Sequence, residues 1–224
     1  MTNTERITAN NASLRECINA AENLPDAGGG DDTRFRDYIE GTLTEIIDDT
    51  ITVIKPYAFR SEVDLTKVSF PSAVSVGTNA FRECSALHTV DLPNFNKAIP
   101  TYCFDSCDAL KNLSIPNTTG VNNYSFRYCA ELEKVELGNA TSIGTQSFGS
   151  CSKLVALIIR REKGKTCSLT NKNAFTGTPI ESGTGYVYFY RDNVNAQKAL
   201  TNWATYAEQI RAIEDYPEIC GGGA

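Results

Sequence analysis

The cysteines are the first residues in this chain whose type and spacing could do chemistry. Cys84, Cys107, Cys129 and Cys151 recur at steps of 23, 22 and 22, and Cys103 stands four residues before Cys107. Thiols at such spacing could pair as disulfides or ligate zinc. Zinc needs a second ligand pair at fixed spacing, which Cys103-x-x-x-Cys107 lacks. If the four cysteines stack about 5 Å apart, disulfide distances are reachable. A free cysteine also packs as a small hydrophobe. The column reads as reduced packing, with disulfide and metal as the alternatives. His88, the one histidine, has no Ser or Cys elbow near it. Gly164-Lys165-Thr166 is reminiscent of a phosphate loop, but Ile159 stands where that loop needs its first glycine. Asp48 and Asp49 could form a carboxylate pair, and acids are equally ordinary in a turn. Arg160, Arg161, Lys163 and Lys165 form the one basic cluster, either a solvated loop or a contact for an acidic partner or glycan. No catalytic residue, metal ligand or cofactor is expected.

The cysteine spacing belongs to a repeat. Phe59, Phe81, Phe104, Phe126 and Phe148 recur at steps of 22, 23, 22 and 22. Five residues before each stands Ile54, Val76, Ile99, Val121 or Ile143. Six after each comes Leu65, Leu87, Leu110, Leu132 or Leu154. Further apolar columns run through Val68, Val90, Leu113, Val135 and Leu157, and through Phe70, Leu92, Ile115, Leu137 and Ile159. Cys103 occupies the column of Ala58, Ala80, Ser125, Ser147 and Ala174. A period of this length marks a solenoid, because one unit cannot bury its apolar face alone.

The L-x-x-V-x-L half predicts a short strand of a parallel sheet, and the I-x-x-x-[ACS]-F half its return. Pro71, Pro93, Pro116 and Gly138 mark the turns between them. The side chains facing out of the sheet form the candidate binding face: Lys67 and Ser69, Thr89 and Asp91, Asn112 and Ser114, Lys134 and Glu136, Ala156 and Ile158. The apolar pair Ala156 and Ile158 marks either a contact patch or a place covered by the C-terminal cap. Leu43 and Ile46 start a capping coil, with Asp48 as its solvent-facing substitute for the apolar column. At the other end the period breaks at the insert Arg160–Thr166. Residues 186–190 read as a last strand, followed by a helix with Leu200, Trp203, Ala207 and Ile210 on one face and Asp192 as its N-cap. The fold class is a β-rich solenoid. Its parts are an N-terminal helix and Gly linker (1–30), a capping coil and first turn (31–64), the repeats (65–180) and a strand–helix cap with tail (181–224).

The N-terminal segment differs in kind. Residues 1–50 carry 11 acids and 4 bases, against 16 and 17 in the remainder, and the whole chain has net charge -6. That balance disfavours nucleic acid as a partner. Ile7, Leu14 and Ala21 repeat every seven residues, with Cys17 and Leu24 between and after them. They make a short heptad stripe before a Gly28–Gly30 hinge. Ile7, Leu14, Ala21 and Leu24 are the candidate oligomerisation residues, with packing of the helix on its own solenoid as the alternative. No basic-then-apolar leader opens the sequence and no apolar run is long enough to span a membrane.

The pattern A-F-x-x-C-x-x-L-x-x-V-x-L-P with I-x-x-x-[AS]-F resembles the BspA-type leucine-rich repeats of bacterial surface and phage-associated proteins, over residues 42–215. The tail from Tyr186 to Ile210 looks like that family's C-terminal cap. The first 45 residues are similar to the N-termini of virion proteins from phages of gut bacteria. The resemblance implies a non-enzymatic structural and interaction protein. On this reading it is a fibre, spike or decoration of a phage particle, made in the host cytoplasm and held by other virion proteins, binding protein or surface glycan. The alternative is a bacterial leucine-rich-repeat adhesin or an intracellular protein-binding module, cytoplasmic or at the bacterial surface.

Overall fold

The computed structural model describes residues 44–221. Each repeat makes one coil, with a longer strand on one side and a two-residue strand on the return. The longer strands are β1 (Glu45–Ile47), β3 (Lys67–Ser69), β5 (Thr89–Asp91), β7 (Asn112–Ile115), β9 (Lys134–Leu137), β11 (Ala156–Ile159), β13 (Tyr186–Phe189) and β14 (Ile210–Ala212). The return strands are β2 (Val53–Ile54), β4 (Ser75–Val76), β6 (Ala98–Ile99), β8 (Gly120–Val121), β10 (Ser142–Ile143) and β12 (Ser168–Leu169). Every pairing is parallel, and residues of one column pair with one another, as Ile46 with Val68 and Val68 with Val90. Alternation along each strand puts the columns inside: Val68, Leu113, Val135 and Leu157 are buried, with Ser114 and Asn112 turned outward.

The main sheet is interrupted once. Strands β1, β3 and β5 form one sheet, and β7, β9, β11, β13 and β14 another. The break falls at the one 23-residue step, where an extra residue lies between Leu92 and Ile99 and Phe95 fills the widened turn, 1% exposed.

The repeat phenylalanines form a continuous stack down the core. Ring centroids are 5.2 Å apart for Phe59–Phe81, 5.3 Å for Phe81–Phe104, 5.4 Å for Phe104–Phe126 and 5.3 Å for Phe126–Phe148, nearly parallel throughout. The longer interval to Phe175 is looped out without breaking the stack, at 5.9 Å.

The turn carrying each phenylalanine has an uncommon backbone. The residues two before it (Tyr57, Asn79, Tyr102, Tyr124, Gln146) and two after it (Ser61, Glu83, Ser106, Tyr128, Ser150) all have positive φ. Left-handed geometry costs a non-glycine residue roughly 1–2 kcal/mol. Hydrogen bonds offset it: alternate N–H groups all point to the next coil, as Tyr57 N to Thr78 O (3.0 Å), Phe59 N to Ala80 O (2.8 Å) and Ser61 N to Arg82 O (2.8 Å). At the first coil the corresponding carbonyls of Pro56, Ala58 and Arg60 have no such partner among the described residues.

The C-terminal cap differs from the sequence expectation. Helix α1 (Pro179–Ser182) leads into β13, and α2 spans Arg191–Lys198. Asp192 is not its N-cap: Tyr190 precedes the helix, Asp192 lies in the first turn, and the Glu214 carboxylate accepts from Arg191 N–H at 2.9 Å. The helix does not reach Ile210. Residues Trp203–Gln209 form 3₁₀ turns broken at Tyr206, and Ile210 enters β14 beside Val187. Main-chain pairing with β13 prevails over the helical spacing, so β14, not 186–190, is the last strand. Asp48 is likewise not solvent-facing. It is 3% exposed, and its carboxylate accepts from Thr50 N–H (2.8 Å) and O–H (2.6 Å). Leu43 and residues 1–30, including Ile7, Leu14, Ala21 and Leu24, lie outside the described residues.

Candidate functional site

The cysteine column has a structural task. Cys84, Cys107, Cys129 and Cys151 each donate S–H to the carbonyl of the phenylalanine in the preceding coil: Phe59 O at 2.9 Å, Phe81 O at 3.1 Å, Phe104 O at 3.0 Å and Phe126 O at 3.0 Å. All seven described cysteines are free and buried. Burial pushes the Cys84 and Cys167 thiols up to about 12 and raises Cys103, Cys107 and Cys129 as well. At pH 8 a thiol titrating near 12 is thiolate about one part in ten thousand, and only thiolate attacks alkylators. Iodoacetamide should therefore leave the seven described cysteines of the folded chain almost unlabelled. The denatured chain, without reductant, should take up label at all eight cysteines; four or fewer would show disulfides.

Among the described residues no group of three or more His, Cys, Asp and Glu could hold a metal. His88 is exposed, and its ring hydrogen-bonds Thr89 Oγ1 at 2.9 Å. No helix among them is long and apolar enough to cross a membrane.

The outward face of the main sheet falls into two parts. Over β3, β5 and β7, Asp91, Asn112 and Ser114 are exposed and Lys67 and Thr89 half-buried. Ser69 is buried, donating to Asp91 Oδ2 at 2.7 Å. Lys67 lies 3.8 Å from Glu45 of β1. The part over β9, β11 and β13 is covered. The chain turns back after β14, and Ile213, Tyr216, Ile219 and Cys220 pack on Ala156, Ile158 and Tyr188. Ala156 and Ile158, candidates for the open face, are 5% and 0% exposed and sit beneath this segment. Lys134 donates to Ile219 O at 2.5 Å and Arg160 to Cys220 O. Both carbonyls close helix α3 (Pro217–Cys220), where a cation is favourably placed. Glu136 accepts from Arg160 at 2.5 Å.

The basic cluster is divided by the same packing. Arg160 belongs to the covered face, and Arg161 is held by Thr166 O (3.0 Å) and Asn139 Oδ1 (2.8 Å). Only Lys163 and Lys165 are exposed, with Lys163 over the Tyr190 ring at 5.9 Å.

A second polar assembly lies along the phenylalanine corner, where the sequence reading named no site. Asp105, 1% exposed, accepts from Arg82 Nε of the preceding coil at 3.1 Å and Arg127 Nε of the following coil at 2.9 Å. The three bridge the coils on either side of the interrupted sheet. Both guanidiniums lie 5.4 Å from the Tyr102 ring centroid, and Arg127 is also 5.0 Å from Tyr124 and 4.8 Å from Tyr128. Tyr102 and Tyr124 stack at 4.8 Å. The hydrogen bond to Asp105 raises Arg127 above its ordinary value. Beside Arg82, at 3.3 Å, Glu83 is lowered: burial opposes its charge, but Ser61 and the Arg60 and Arg82 guanidiniums outweigh that. The signal in the sequence was Arg60, Arg82, Asp105 and Arg127, each one residue after its phenylalanine.

Comparison with known proteins agrees with the repeat. A family model described as BspA type leucine rich repeat region matches residues 41–155 in six copies. A leucine rich cell surface protein of Faecalibacterium prausnitzii is 28% identical, over 52% of this chain and 32% of that one, with a TM-score of 0.49. A leucine-rich repeat protein of Bacteroides ovatus is 21% identical, over 62% and 43%, with a TM-score of 0.38. A leucine rich repeat protein of T. pallidum is 18% identical, over 74% and 68%, with a TM-score of 0.40. The chain thus spans about a third and under half of the first two. Among curated proteins there is no significant match. With the family model covering half its length and the parallel-strand coils in place, this chain belongs to the BspA type leucine-rich repeat family.

Proposed function

We propose that this chain is a non-enzymatic binding module that presents the open part of its sheet, around Thr89, Asp91, Asn112 and Ser114, to a polypeptide partner at a bacterial surface. The observation that carries this reading is the covered half of the same sheet. There the face receives a stretch of polypeptide, with an apolar floor for Ile213 and Ile219 and basic side chains on main-chain carbonyls. The open half has no aromatic among its outward residues on which a sugar ring could stack. That favours protein over the surface glycan that the sequence left open. The virion reading rests on the first 45 residues, almost all outside those described, and the family match supports the bacterial binding module instead. Self-association through Ile7, Leu14, Ala21 and Leu24 is a separate proposal that the solenoid neither needs nor contradicts.

The test uses immobilised full-length chain and intact cells that bind it. Protease treatment of the cells should abolish binding and periodate oxidation of their glycans should not. The double substitution Thr89→Arg with Asn112→Arg should weaken binding at least tenfold at unchanged melting temperature. Binding that survives protease and is lost to periodate would move the ligand to glycan. Binding indifferent to the double substitution would move the site off this face.

A further inference from the structure

The corner around Asp105 is more than a clamp between coils. One buried carboxylate holds two guanidiniums through their Nε groups, and the three side chains together keep one unit of positive charge. Extending the count to Arg60 and Glu83, which lie 3.5 Å apart, leaves the same single positive charge on a chain of net charge -6. Arg82 and Arg127 are not sealed away, their side chains being 28% and 22% exposed. Both Nη groups of Arg82 and Nη1 of Arg127 donate to no acceptor among the described residues. Each is tied to Asp105 through Nε and lies against at least one tyrosine ring, so less rotamer freedom remains to be lost when a ligand binds. Tyr128 and Tyr57, each 50% exposed, flank the pair along the same corner.

A planar donor fork with unused N–H groups matches a carboxylate. Tyrosine and arginine together are the side chains most enriched where a partner protein is gripped. We propose that the Arg82–Arg127 pair, oriented by Asp105 and walled by Tyr102, Tyr124 and Tyr128, is a second binding site, for an aspartate or glutamate side chain of an acidic polypeptide segment. It lies on the phenylalanine corner, a different surface from the open sheet, and stands whether or not the sheet face binds its own partner. Asp105 is a positioning residue here: it does not touch the ligand and sets where the two guanidiniums sit.

The experiment is a titration of the full chain with tetraglutamate peptide, followed by the ring signals of Tyr102, Tyr124 and Tyr128 in NMR, with tetraglutamine as the uncharged control. Tetraglutamate should shift these rings saturably and tetraglutamine should not. The apparent affinity should fall at least threefold when salt rises from 50 to 200 mM. It should fall at least tenfold in Arg82→Gln with Arg127→Gln. Tyr128→Ala, at an exposed position that carries no core packing, should weaken it at least threefold with the melting temperature unchanged, keeping the test valid if the double variant unfolds. No saturable shift with tetraglutamate, or equal shifts with tetraglutamine, would overturn the site. Binding of oligogalacturonate at the same rings at least tenfold more tightly than tetraglutamate would overturn its assignment to a polypeptide.

Discussion

Replacing Phe126 with alanine should lower the stability of the folded chain by about 3–5 kcal/mol. The ring is fully buried and stacked on both sides, 5.4 Å from Phe104 and 5.3 Å from Phe148. Its removal leaves a void in the middle of the column. The coils on either side cannot close it, because their spacing is set by hydrogen bonds such as Phe126 N to Ser147 O and Phe104 N to Ser125 O, both 2.8 Å. A loss of this size is a large part of the roughly 5–15 kcal/mol that holds a domain together. Because each coil touches only its neighbours, the damage also uncouples the two ends of the solenoid. Denaturant unfolding should show a lower midpoint and a broader or divided transition. An unchanged midpoint would contradict the register.

Gly138→Ala should cost about 3 kcal/mol or more, from one added methyl group. A Cβ at this position would stand 1.6 Å from Pro116 O and 2.4 Å from Pro116 C. These are backbone atoms of the adjacent coil, so no side-chain rotation relieves the overlap, and the turn joining β9 to its return must lift away. Overpacking a core ordinarily costs roughly 1–3 kcal/mol, and rigid backbone on both sides puts this site at or beyond the top of that range. Gly164→Ala is the control. Its φ is +75° and no atom lies within 4 Å of the added carbon, so only the left-handed penalty of about 1 kcal/mol applies. Melting of the two variants beside the parent should rank them in that order, and equal effects would show that crowding is not what keeps Gly138.

The difference between those glycines indicates what was legible in the sequence. The apolar columns were, since burial selects residue type at fixed spacing, and Phe126, Leu132 and Val135 stand where the period put them. Gly138 was legible only as a turn marker, equivalent to Pro116, because closeness of two backbones leaves no mark on composition. The left-handed residues were invisible for a related reason. Tyr102, Ser106 and Tyr124 are not residue types that announce positive φ, and the hydrogen bonds holding them there come from another coil. Of the candidate face, Asp91, Asn112 and Ser114 are exposed and Ala156 and Ile158 are covered. Ala156 and Ile158 stood out as apolar, but what covers them comes from Ile213–Cys220, more than fifty residues on. Arg82, Asp105 and Arg127 belong to one column of the repeat. Their partnership depends on three coils lying side by side, which single-residue types do not reveal.

The one-way hydrogen bonds of the phenylalanine corner have an electrical consequence. In a sheet, successive peptide dipoles alternate and nearly cancel. Here the N–H groups of Tyr57, Phe59 and Ser61 all aim toward the next coil, those of Asn79, Phe81 and Glu83 repeat the direction, and so on to Phe148 and Ser150. Peptide dipoles of about 3.5 D therefore add along the solenoid axis as they do along a helix. Among the described residues the repeat behaves as a stacked electret with its negative pole toward the carbonyls of Pro56, Ala58 and Arg60. Each coil added to such a structure lengthens the dipole, so the number of repeats tunes a long-range field as well as a length.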